Sequence, residues 1–191
     1  MTNNELKCII EALLMSSESP LTIEQMMGIF EPWQKPSRDL LKQILCELIT
    51  DYNERAIELV ELAGGYCIQT RAQYGLWISR LQADKPVKYS KALLETLAII
   101  AYQQPVTRAD IEAVRGVGVS TSILKTLLER EWIKIAGFRD VPGKPAVYVT
   151  TKQFLNYFNL TTIEQLPPLK DNIALSTRED TLALAEEYIK T

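Results

Sequence analysis

Apolar positions recur along this chain in two successive rounds of the same order. From Glu5 to Ser16, Leu6, Ile9, Ile10, Leu13 and Leu14 fall at i, i+3, i+4 and i+7 spacing, the stripe of an amphipathic helix. Ser19-Pro20 ends it, because the residue before proline is pushed out of the α region. Thr22 with Gln25 three residues on is a capping-box pattern for a short helix, Ile23 to Phe30. Ser37 caps a third helix that ends near Tyr52 and carries Leu41, Ile44, Leu45 and Leu48 on one side. Ile57 to Ala63 and Tyr66 to Thr70 then switch to strand character about Gly64-Gly65, a hairpin signal. Gln73 to Leu81 is a further short helix, and the polar stretch Gln82 to Tyr89, with Pro86 inside it, is the boundary between domains.

The second round begins at Ser90, which caps a helix with Leu93, Leu94, Leu97, Ile100 and Ala101 in a nearly continuous apolar stripe. Gln104-Pro105 stops it. Thr107 caps a short helix to Val114, with Asp110 in the first turn where a carboxylate suits the helix dipole, and Gly116 is its C-terminal stop. Thr121 to Trp132 is the third helix, presenting Ile123, Leu124, Leu127 and Leu128. Ile133 to Phe138 and Ala146 to Thr150 are strands about a tight loop at Pro142-Gly143, and Thr150 with Gln153 caps a last short helix. Pro20-Leu21-Thr22 and Pro105-Val106-Thr107 occupy the same point of the two rounds, an internal duplication of architecture. Helix, turn, helix, then a two-stranded hairpin is the order of a winged-helix domain. The fold class is therefore α+β, mainly helical: two tandem winged-helix domains plus a polar C-terminal tail. The divisions are 1–82 and 90–160 for the domains, 83–89 for the linker and 161–191 for an acidic tail, expected to be flexible in isolation. Small domains have small cores, so each gains by packing against a partner.

Composition narrows the function. The chain has 191 residues, is 47% apolar and carries a net charge of -3, so it lacks the basic field that holds a polyanion. No apolar run approaches the ~20 residues that cross a bilayer. The start, Met1-Thr2-Asn3-Asn4-Glu5, lacks a secretory pattern, so cytosolic residence is the expectation. Cys8, Cys46 and Cys67 are widely spaced within apolar periodic segments and read as small buried hydrophobes. There is no histidine, which removes the commonest general base and zinc ligand. Gly116-Val117-Gly118 lacks the strand and third glycine of a dinucleotide site, and no nucleophile stands beside a base, so the residues point away from an enzyme. Trp77, Trp132, Phe154, Tyr157 and Phe158 are read as core.

Winged helices read DNA or dock proteins. A reading helix needs Arg, Lys, Asn or Gln along its exposed face. The third helix of the second domain sets Lys125 and Arg130 against Glu129 and Glu131, and that of the first sets Arg38, Lys42 and Gln43 against Asp39 and Glu47. Neither is a convincing reader. The second wing, with Arg139 and Lys144 about Pro142-Gly143, is the better phosphate contact, though ordinary solvated charges explain it as well.

A family resemblance rests on the second domain. Leu94 to Tyr102, Gln104-Pro105-Val106-Thr107-Arg108, Ile111-Glu112, Arg115-Gly116-Val117, Leu127-Leu128-Glu129-Arg130 and Gly137 to Pro145 closely resemble the segregation and condensation protein B (ScpB) family, continuing through Tyr148, Thr150-Thr151, Phe154-Leu155 and Phe158. The first domain is similar more loosely, through Ile10 to Leu14, Ser19-Pro20-Leu21 and Gly64-Gly65-Tyr66, and the segment after Leu166 matches nothing. The resemblance implies a non-enzymatic subunit of the bacterial SMC–kleisin condensin. Such a subunit is cytoplasmic, reaching the nucleoid through the complex, and is a homodimer through its N-terminal domain. It binds the kleisin ScpA, meets the SMC ATPase through the kleisin and DNA through the assembly, and serves chromosome condensation and partition in the cell cycle and cell division. No cofactor, membrane or small-molecule substrate is implied. The expected kleisin site is an apolar groove of the second domain between its first helices and its hairpin, with Arg115, Arg139, Asp140 and Tyr148 as contacts. Dimerisation is expected at Met26, Met27, Phe30 and Trp33. Internal roles stand beside these: pairing of Arg139 with Asp140 across the wing, and core packing for Tyr148 and the dimer set. The alternative is a winged-helix DNA-binding transcriptional regulator, with duplex binding that weakens steeply with salt. A third reading is an adaptor of another complex.

Overall fold

A computed structural model describes residues 2–81 and 88–168. The chain divides into two compact units, Met1–Lys85 and Pro86–Thr191. The expected linker, 83–89, falls largely outside the described residues, as does the tail from 169 onward.

In the first unit, α1 (Asn3–Ser16) starts at Thr2, whose hydroxyl takes the Glu5 N–H while the Glu5 carboxylate takes the Thr2 N–H. This reciprocal bonding satisfies two of the helix's orphan donors. Thr22 and Gln25 repeat the device at α2 (Ile23–Gly28), and Ser37 caps α3 (Arg38–Asp51). Leu6, Ile10 and Leu14 of α1 meet Leu41, Ile44, Leu45 and Leu48 of α3, with Met26 of α2 closing the core. β1 (Ile57–Leu62) and β2 (Gly65–Thr70) form the expected hairpin, but its turn is Ala63-Gly64 rather than Gly64-Gly65, because Gly65 already pairs with Leu62 as the first residue of β2. Leu21 adds a short third strand: its N–H and carbonyl both bond to Tyr66, at 2.9 and 2.8 Å. Gly65 makes that approach possible. At its φ of 124° a Cβ would lie 2.3 Å from the Leu21 carbonyl oxygen. A 3-10 turn (Ala72–Tyr74) leads into α4 (Gly75–Leu81), which has no buried residue.

The second unit repeats this plan. α5 (Lys91–Gln103), capped by Ser90, is buried at Leu93, Leu94, Leu97, Ile99, Ile100 and Ala101. β3 (Val106–Thr107) pairs with β5 (Ala146–Thr150), which pairs with β4 (Ile133–Phe138), so the sheet order is β3-β5-β4. Val106 opposite Tyr148 is the counterpart of Leu21 opposite Tyr66. Period-2 patterning cannot register such two-residue strands, which is why the sequence shows only two strands per unit. α6 (Arg108–Arg115) ends at Gly116 in the left-handed region, φ 68°. α7 (Thr121–Glu129) stops three residues before the expected Trp132. Glu131 adopts φ 57°, its N–H bonds to the Leu128 carbonyl, and the Trp132 N–H bonds to the Leu127 carbonyl. That double closure is a Schellman stop with Glu where glycine is usual. It turns Trp132 into the core at 2% exposure, against Tyr89, Tyr157 and Phe158.

Several expectations need correction. The cap of α8 (Lys152–Tyr157) is Thr151, not Thr150: the Thr151 hydroxyl accepts the Phe154 N–H at 3.2 Å, while the Thr150 hydroxyl and N–H both donate to the Gln104 side-chain oxygen. Residues 161–168, expected to open the tail, form a 3-10 turn (Ile163–Gln165) with Ile163 and Leu166 packed on the second core. The Tyr102 hydroxyl holds the Pro167 carbonyl there at 2.8 Å. Cys8 and Cys46 are exposed and Cys67 half-buried, not core. Cys8 lies off the Leu6–Ile10–Leu14 stripe, and Cys46 lies off the line of Leu41, Ile44, Leu45 and Leu48. Trp77 is likewise exposed on α4.

Candidate partner-binding surface

The second unit's candidate residues are placed by two ion pairs at the ends of α6. At its N-terminus the Asp110 carboxylate takes the Thr107 N–H at 2.8 Å and the Thr107 hydroxyl at 2.9 Å, completing a capping box. Arg139, at the start of the wing, donates both terminal nitrogens to the two Asp110 oxygens at 3.0 and 2.7 Å. A planar guanidinium matches a carboxylate in this two-bond geometry. The Arg139 hydrogen bonds, with those from Thr107, hold the Asp110 carboxyl down at about 2. Arg139 thus fastens the wing to α6, and its partner is Asp110 rather than the neighbouring Asp140. Asp140 is exposed on the wing beside Pro142-Gly143.

At the other end of α6, Arg115 donates to one Glu95 oxygen from Nε at 3.3 Å and from a terminal nitrogen at 2.9 Å. Its side chain is only 8% exposed. Expected as a partner contact, Arg115 is instead a buried tie between α6 and α5, because an unpaired guanidinium at that depth would be costly. Tyr148 is half-buried in β5 and packs on the second core. The four residues therefore form no single site. Arg139 and Asp140 lie on the wing, Tyr148 in the sheet, and Arg115 a helix length away.

The dimer set also separates. Met26 is fully buried, so it is core and presents nothing to a partner. It occupies the inward face of α2 with Ile23. Met27 and Phe30 are half-buried against the same core, and Trp33 alone is fully outward at 78% exposure. Further apolar surface of the first unit that the periodicity did not flag is Leu76 and Trp77 on α4, 57% and 61% exposed. A seven-residue helix with so few polar residues has no stripe to read, and only its lack of neighbours marks it as surface.

On each third helix one cation is paired with a carboxylate. Lys125 faces Glu129 at 3.6 Å, and Arg38 is paired with Glu24 of α2. Lys134 and Lys152, like Lys42 of α3 and Lys144 of the wing, have no carboxylate partner among the described residues, and both line a shallow recess with Leu128, Glu131, Ile133, Ile135 and Thr151. The sequence places Lys134 near the wing cations, but the recess and Lys152 were missed because β4 was taken as an ordinary hairpin strand. Its position at the sheet edge is a matter of topology, invisible to local pattern. Among the described residues no helix is long and apolar enough to cross a membrane, and no group of three or more potential ligands could hold a metal.

A family model described as segregation and condensation complex subunit ScpB matches residues 8–169, across both units. A Coxiella burnetii protein named segregation and condensation protein B homolog is 50% identical over 173 residues, covering 91% of this chain and 83% of its own length. A crystal structure of ScpB from Mycobacterium tuberculosis is 32% identical, covers 84% of this chain and 99% of its own, and has a TM-score of 0.40. A structure titled as the dimer of the ScpB N-terminal domain complexed with ScpA peptide is 29% identical and covers 42% of this chain and 94% of its own, with a TM-score of 0.36.

Proposed function

Because the chain belongs to the family of the segregation and condensation complex subunit ScpB, which is structural and not enzymatic, we propose that it is an adaptor of a bacterial SMC–kleisin complex, binding the kleisin ScpA as a homodimer. The observation that carries this reading is the family match across both units. The chain reaches the SMC ATPase through the kleisin and DNA through the assembly, supports chromosome condensation and partition, and works in the cytoplasm. Its two small cores, and the carboxylates that pair with Arg38 and Lys125 on the third helices, agree with protein docking.

The first unit supplies the dimer contact, through exposed apolar side chains such as Trp33, Leu76 and Trp77. The second unit receives the kleisin on its sheet and wing, with Asp140, Tyr148 and the Asp110-anchored Arg139 at that surface.

The test is size-exclusion chromatography with light scattering on the full chain, alone and with purified ScpA from the same organism. The expected result is a dimer that moves into a larger, stoichiometric complex. A chain that ignores ScpA yet binds duplex DNA with a steep salt dependence would overturn the reading in favour of a DNA-binding regulator.

A further inference from the structure

The chain enters the second unit through a cluster of rings. Tyr89, one residue ahead of the Ser90 cap of α5, meets Trp132 edge to face with ring centres 5.2 Å apart. Tyr157 of α8 packs on the same indole at 4.5 Å, and its hydroxyl lies 3.4 Å from that of Tyr89. Phe158 completes the group, 5.6 Å from Trp132. Arg130 stands above it. Its guanidinium carbon is 4.8 Å from the centre of the Tyr89 ring and 5.5 Å from that of Trp132.

Position explains part of this arrangement. Arg130 is the C-cap of α7, where a cation suits the helix dipole. That field fixes no direction for the side chain. The two ring faces do, because a guanidinium is drawn to the negative face of an aromatic ring. The left-handed turn at Glu131 then divides the neighbours on either side of it, sending Trp132 into the core and leaving Arg130 outside. The contacts are therefore layered. Trp132 is buried, Tyr89 is half-buried and Arg130 is exposed. The outer pair can part without drawing Trp132 out of the core.

We propose that Tyr89 and Arg130 form a latch that fastens the connector between the two units onto the second unit and sets the heading with which the chain leaves it. Latched, the connector is anchored at Tyr89, and the span from the end of α4 to that anchor is residues 82–88. Unlatched, the anchor retreats to Ser90, whose hydroxyl accepts the Leu93 N–H at 3.2 Å. The two states differ little in connector length and much in direction. A ring gripped by Trp132, Tyr157 and Arg130 fixes the backbone that carries it, and without that grip the chain pivots just ahead of the cap. The device needs no partner, so it stands or falls independently of the kleisin reading.

The test reads the freedom of Lys88, which is exposed and adjoins the latch. A nitroxide is placed at Lys88→Cys in the full chain carrying Cys8→Ser, Cys46→Ser and Cys67→Ser. In the chain with Lys88 intact, tryptic cleavage after Lys88 is followed by mass spectrometry at limiting protease, where its rate tracks the open population. The nitroxide is expected to be slow in the otherwise unchanged chain. Arg130→Gln and Tyr89→Ala are each expected to raise its mobile fraction, and the cleavage rate after Lys88, by about threefold or more, the scale of one exposed cation–ring contact. Arg130→Gln is expected to do so at an unchanged melting temperature. The double variant is expected to go no further than the faster single one, because either change alone opens the latch. A nitroxide already mobile without either change, cleavage unaltered by Arg130→Gln, or independent effects of the two changes would overturn the latch. Faster cleavage throughout the second unit with a lower melting temperature in Arg130→Gln would overturn it too, as a general loosening of the core.

Discussion

At Asp110 one carboxylate serves three elements: it closes the capping box of α6, takes the Thr107 hydroxyl of β3 and receives Arg139 from the wing. Its folded-state value of about 2 lies below the ordinary carboxylate value of about 3.9, so ionisation favours the folded unit. That contribution is present above about pH 4 and fades as pH falls toward 2. The melting temperature of the second unit is expected to drop over this window, and Asp110→Ala to flatten the drop. At pH 7 the same substitution costs about 1–2 kcal/mol, the scale of a lost cap, as read by chemical denaturation. A pH profile of the variant parallel to that of wild type would show that another group carries the effect. The capping half of this arrangement is legible in Thr107-Arg108-Ala109-Asp110 alone. The arginine is not, because it lies 29 residues away and the nearer Asp140 is an equally reasonable partner on paper.

Elements differ in what their neighbours demand of them. α2 and α4 are both short and apolar, yet Met26 on α2 is fully buried and Trp77 on α4 is outward. Met26→Ala is expected to cost 2–5 kcal/mol by opening a cavity in the first core, measured as a lower denaturant midpoint. Trp77→Glu removes no core contact, so it is expected to leave stability within about 0.5 kcal/mol. Its effect appears instead in light scattering, as a shift from dimer to monomer at micromolar concentration. A variant that remains dimeric would move the interface off α4. Helices with a stripe and a cap, such as α1, α3 and α5, were legible from the sequence to within two residues of their ends. What escaped were features made by distant contacts: the two-residue strand β3, the Leu21 bridge, and the stop of α7 at Glu131, where a non-glycine takes a left-handed turn. The open edge of β4 belongs with them, since strand order follows from the whole sheet.

For the whole molecule, the main fact is the repeated plan with two separate cores, one centred on Ile10 and Leu45 and the other on Ile100 and Leu127. A protease site engineered between Lys85 and Pro86 is expected to release two fragments that each melt cooperatively, followed by circular dichroism. Loss of the melt in either fragment would mean that its core depends on the other. The placement of the three cysteines gives this duplication a practical consequence. All of them fall in the first unit, with Cys8 and Cys46 open to solvent and Cys67 slowed by burial that raises its thiol above the usual range. A thiol-selective reagent applied to the native protein is therefore expected to modify Cys8 and Cys46 first, as mass spectrometry of the digested product will show. Once these three are replaced by serine, a single cysteine placed on the wing carries a fluorophore or crosslinker into the second unit with no competing site.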